Sequence, residues 1–129
     1  MSNNITERTE GLSPFNLKVS HILSDSFPSQ ALEVVSDVTK EDDAKRIVES
    51  TVCAFGRIDI LVNNAGGALP TSILDPNCLQ NYENVMNLDL RSVIYLTSIA
   101  VPYLEKTNGN VINISSIVAL KPVFKLPVI

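Results

Sequence analysis

The fold is decided by the stretch 57-RIDILVNNAGG-67. Its run Ile60-Leu61-Val62 is short, apolar and rich in β-branched residues, which marks the end of a buried strand over 58–62. Two amides, an alanine and paired glycines follow at once. Small and amide residues at the end of a strand let backbone approach a ligand and still satisfy freed hydrogen-bonding groups.

Upstream of this strand, residues 40–55 carry Ala44, Ile47, Val48, Val52 and Phe55 at three- and four-residue steps, which predicts a helix with one buried face. Thr39 and Asp42 have capping-box spacing, acids crowd the first turn, and Gly56 stands where a helix stop belongs. Before it, 31-ALEVV-35 reads as another strand. Downstream, residues 67–80 form a loop with two prolines, and a long helix is expected over 82–106. That helix is apolar nearly all round, which predicts burial on more than one side, and Pro102 should bend it or end it early. Gly109 then serves as a stop before a third strand over 110–115. Strand, helix, strand, helix, strand is the order of an α/β domain with a parallel sheet.

The remaining composition excludes several classes of protein. With 129 residues there is enough chain for one domain. A net charge of −4 without clustered Lys or Arg argues against nucleic acid or an anionic membrane surface as partner. No apolar run approaches the ~20 residues of a membrane span. The polar start MSNNITERTEGLSP lacks the apolar core of a secretory signal, so a cytoplasmic location is the default expectation. Cys53 and Cys78 fit no metal spacing and are expected to be reduced thiols; no metal site is expected. Residues 1–30 form a divergent N-terminal segment, with one strand candidate at 17-LKVSHIL-23, and are expected to be the least ordered region. His21 within it has no sequence partners for catalysis.

In open α/β sheets ligands sit beyond the carboxyl ends of the strands. Three polar features fall there: Asp37, the NNAGG turn, and the pair Ser115 and Ser116. With DVT (37–39), FGRID (55–59) and NVINISS (110–116) in their flanking places, these residues resemble the short-chain dehydrogenases/reductases over roughly residues 31–120. The resemblance implies a partial Rossmann fold, a doubly wound parallel sheet, in which residues 31–129 are the central part of an NAD(P)-binding domain. It implies hydride transfer between NAD or NADP and a small carbonyl or alcohol, with the choice of nucleotide and substrate left open. Asp37 would lie at the adenine; Asn63, Asn64, Ala65 and Gly66 would support the sheet and line the adenosine side. Asn87 would match the asparagine that kinks the long helix and holds a proton-relay water. Ser116 would polarise the substrate carbonyl, with Ser115 the weaker candidate. Relatives pack this long helix between subunits, so a homo-oligomer through 82–106 is expected.

The sequence departs from the family pattern in two places. Its five glycines, at 11, 56, 66, 67 and 109, do not form the T-G-x-x-x-G-x-G turn that takes the pyrophosphate. Tyr82, Tyr95 and Tyr103 are followed four positions on by Met86, Ile99 and Thr107, so none begins the family's Y-x-x-x-K. Losing that proton donor removes general acid catalysis worth about 10²–10⁴-fold. The partial fold is accordingly expected to lack the family's strands that follow the catalytic serine. The expectation is an oxidoreductase by family that is inactive as written. The alternative is a non-catalytic truncated isoform or fragment, unstable or associating with full-length relatives.

Overall fold

The computed structural model describes residues 31–69 and 71–120. The expectations for residues 1–30, the 17–23 strand and His21 included, and for residues after 120 lie outside these. The elements below belong to one compact unit beginning at Val34. They are α1 (Glu41–Phe55), β1 (Ile60–Asn63), α2 (Cys78–Met86), a π-helical turn (Asn87–Arg91), α3 (Ser92–Thr107) and β2 (Asn110–Asn113). A short 3₁₀ turn, Ile117–Ala119, follows.

β1 and β2 pair in parallel, Ile60 opposite Asn110 through Asn63 opposite Asn113, in line with the parallel sheet expected from the element order. Each is shorter than its sequence span suggests and ends at its asparagine. The crossover between them is the long helical run, as a parallel pair requires. Residues 31–37 form no strand, contrary to the reading of ALEVV. A strand exists only against a neighbour's ladder, and among the described residues none pairs with this segment.

α1 and α3 pack side by side. Ala44 and Val48 of α1 meet Leu96, Ala100 and Leu104 of α3, with Ile58 completing the buried cluster. Both stripes step by four residues, and fully buried alanines on each helix let the backbones approach closely. Gly56 ends α1 as expected, at φ 75° with its N–H on the Val52 carbonyl at 2.8 Å. The Thr39/Asp42 capping box does not form. Lys40 occupies the cap without a side-chain bond. The Thr39 hydroxyl donates instead to Asp37 Oδ1 at 2.7 Å, because that carboxylate lies two residues away in the same turn.

The long helix departs from its expected bounds and burial, and of the two expectations for Pro102 the early end is not met. It begins at Cys78 and passes through the π turn before α3. Pro102 does not end it, since α3 runs on to Thr107 with Leu96, Ala100 and Leu104 packed on both sides of the proline. Nor is it buried all round: Leu90, Ile94 and Val101 are exposed, Ile94 at 61%, because α1 and the strands cover only one face. α3 closes in a Schellman turn, Gly109 N–H on the Leu104 carbonyl and Asn108 N–H on that of Glu105. The left-handed residue is Asn108, at φ 51°, not the glycine. Gly109 is needed for closeness, since a Cβ there would come within 2.5 Å of the Asp59 carbonyl oxygen.

Among the described residues no helix is long and apolar enough to cross a membrane.

Candidate active site

The carboxyl ends of β1 and β2 lie side by side, and the site is built on them. Asn63 ends β1 and is 6% exposed. Its Nδ2 donates to Asn113 Oδ1 at 2.8 Å and to Thr97 Oγ1 of α3 at 3.1 Å. One amide therefore joins both strand ends to the helix, which satisfies its two donors in a buried place. The backbone ladder continues beyond it, with Ile114 N–H on the Asn63 carbonyl at 2.9 Å.

Beyond Asn63 the chain emerges. Asn64, Ala65 and Gly66 are exposed. Gly67 is held where it stands by Asp89, whose Oδ1 accepts the Gly67 N–H at 2.9 Å. Asp89 belongs to the π turn that opens at Asn87, where Ser92 N–H reaches back five residues to the Asn87 carbonyl. The widened turn is supported from inside: buried Ser92 donates its hydroxyl to the Leu88 carbonyl.

Asn87 is half-buried, and its Oδ1 receives a long hydrogen bond, 3.4 Å, from Arg91. The same guanidinium pairs with Glu41 Oε1 of α1 at 2.7 Å. Four residues before Glu41 stands Asp37, whose carboxylate accepts the Thr39 N–H and hydroxyl, with Lys40 Nζ at 3.7 Å. The Asp37 N–H donates in turn to Asp43. That bond, with Arg46 second, holds the Asp43 carboxyl below its ordinary pKa. Ser115 and Ser116 follow β2 and are exposed; the Ser116 carbonyl accepts the Ala119 N–H at 3.1 Å and opens the 3₁₀ turn.

The fold thus gathers Asn63–Gly66 and Ser115–Ser116 at adjacent strand ends. Asn87 joins them through the π turn, while Asp37, among the described residues, bonds only locally, to Thr39, Lys40 and Asp43 at the start of α1. Asp89 was missed by sequence reasoning. Its signal was an acid set between Leu88 and Leu90 inside an apolar helix. Cys53 and Cys78 carry free thiols, and among the described residues no group of acids, histidines and cysteines could hold a metal ion.

The sequence profile of the family described as short chain dehydrogenase matches residues 15–128. The L-fucose dehydrogenase of Bos taurus is 41% identical over 85 residues, which are 66% of this chain and 32% of the relative. Among solved structures, the KRED1-Pglu enzyme superposes with a TM-score of 0.72 at 30% identity, covering 82% of this chain and 44% of its own. A 7α-hydroxysteroid dehydrogenase complexed with NADH and 7-oxo glycochenodeoxycholic acid superposes with a TM-score of 0.73 at 26% identity, covering 81% and 42%. The chain spans about a third of the length of the curated relatives it matches.

Proposed function

Because this chain belongs to the short-chain dehydrogenase family, we propose that it carries the central part of an NAD(P)-dependent oxidoreductase acting on a small carbonyl or alcohol. The observation that carries the reading is the meeting of the Asn63–Gly67 turn and Ser115–Ser116 at the carboxyl ends of two adjacent parallel strands. The exposed backbone of Asn64–Gly66, fixed at Gly67, fits one side of a dinucleotide. Among the described residues no glycine-rich turn offers its pyrophosphate a cradle. NAD(P), when bound, supplies or accepts the hydride.

The chain's own residues polarise and position. The Ser116 hydroxyl donates to the substrate oxygen, Asn87 orders water for proton transfer, and Asp37 with Asn63–Gly66 borders the adenosine. The proton donor in this reading is of the Y-x-x-x-K kind, a pattern that none of the three tyrosines in these 129 residues begins. Fluorescence titration with NADH and NADPH, followed by a carbonyl-reduction assay of wild type and Ser116→Ala, tests the reading. Saturable binding, with residual turnover that falls at least about tenfold in Ser116→Ala, is expected. Equal turnover in both proteins defeats Ser116 as the polarising group.

A second reading is favoured by the exposed apolar positions Leu90, Ile94 and Val101 along one side of the long helix. In that reading the chain associates through this helix with copies of itself or with full-length relatives, without catalysis.

A further inference from the structure

We propose that Asp89 is the positioning residue of this site: its carboxylate holds the Gly66–Gly67 turn against the long helix and so sets the exposed backbone of residues 64–66 for the dinucleotide. The inference rests on the NAD(P)-dependent reading above.

Two features place the turn directly on this one side chain. Asp89 Oδ1 accepts the Gly67 N–H at 2.9 Å, and a Cβ on Gly66 would lie 3.2 Å from the same oxygen. The turn is thus bonded to the carboxylate at Gly67, and the same oxygen leaves little room for a side chain at Gly66. A third feature ties the support to the rest of the fold. Arg91, in the same π turn, is paired with Glu41 at 2.7 Å, and Ser92 closes the turn from its buried side. The contact at Gly67 is therefore tied through one helical turn to α1, which belongs to the packed core. π turns inside helices are frequent at functional sites. A carboxylate suits the task because either oxygen can accept the loop N–H, and a side-chain amide keeps one such acceptor.

The experiment compares wild type, Asp89→Ala and Asp89→Asn in the full chain, by NADH titration, by amide exchange at Gly67 and by near-UV circular dichroism. Asp89→Ala should raise the NADH Kd about tenfold and speed Gly67 exchange by a similar factor, with the tertiary spectrum unaltered. Asp89→Asn keeps an accepting oxygen and should restore both. The proposal is overturned if Asp89→Ala binds NADH as wild type does, or if Asp89→Asn fails to rescue while its spectrum stays native. Absence of NADH binding by wild type would instead sink the cofactor reading, and Gly67 exchange alone would then decide whether Asp89 holds the turn.

Discussion

Asn63 and Asn113, fifty residues apart in sequence, share a side-chain hydrogen bond of 2.8 Å across the ends of β1 and β2. Because the Asn63 amide also reaches Thr97, its loss leaves two polar partners to be satisfied at once. Asn63→Ala should lower stability by about 2 kcal/mol, while Thr97→Val, which removes one of the two bonds, should cost less than about 1 kcal/mol. Urea unfolding of the three proteins, compared at equal m-value, measures both. Similar midpoints for Asn63→Ala and wild type would mean that the amide does not hold the strand ends.

The glycines at 66 and 109 should respond to alanine with losses of very different size. At Gly109 the new methyl would meet backbone, the Asp59 carbonyl at 2.5 Å, and Leu104 Cδ2 at 2.8 Å. Backbone cannot swing aside, so Gly109→Ala should cost about 1–3 kcal/mol and shift the β2 entry. At Gly66 the nearest atom is the end of the Asp89 side chain at 3.2 Å, which can give by a few tenths of an ångström. Thermal melts should show a marked drop for Gly109→Ala and a small one for Gly66→Ala.

Acid should weaken the start of α1 through Asp43. Its carboxyl is held below the ordinary 3.8 by the Asp37 N–H and by Arg46. A depressed folded pKa contributes stability above the unfolded value and loses it as pH falls through the folded one. Asp43→Asn should therefore be the less stable protein near neutral pH, and the two should converge in strong acid. Denaturant midpoints across that range give the test; a constant difference at every pH contradicts the linkage.

Ile94→Gln changes a residue that is 61% exposed on the helix face away from α1. If chains associate through that face, the substitution should reduce the mass seen by light scattering and leave the unfolding midpoint within about 0.5 kcal/mol of wild type. An unaltered mass above that of one chain would assign association to another surface.

The legible features were those written within a few residues of one another. α1 follows from apolar steps of three and four and from a glycine free to take φ 75°. The crossing of β1 to β2 follows from an apolar run, a long helix and a second apolar run in that order. Local pattern misled where a side chain had two candidate partners. Thr39 turned to Asp37 instead of capping α1, and Asn108 took the left-handed position that the neighbouring glycine suggested for itself.

By itself the sequence determined the α/β order and the polar residues at the strands' carboxyl ends, because periodicity and turn chemistry act over one or two turns of chain. It also contained the family's motif. Only the tertiary structure decided that ALEVV forms no strand, that the irregularity expected at Asn87 takes the form of a π turn, and that Asp89 holds Gly67 from 22 residues away. Those outcomes depend on which ladder edge, helix face or backbone N–H lies within reach after packing, and no spacing along the chain specifies that distance.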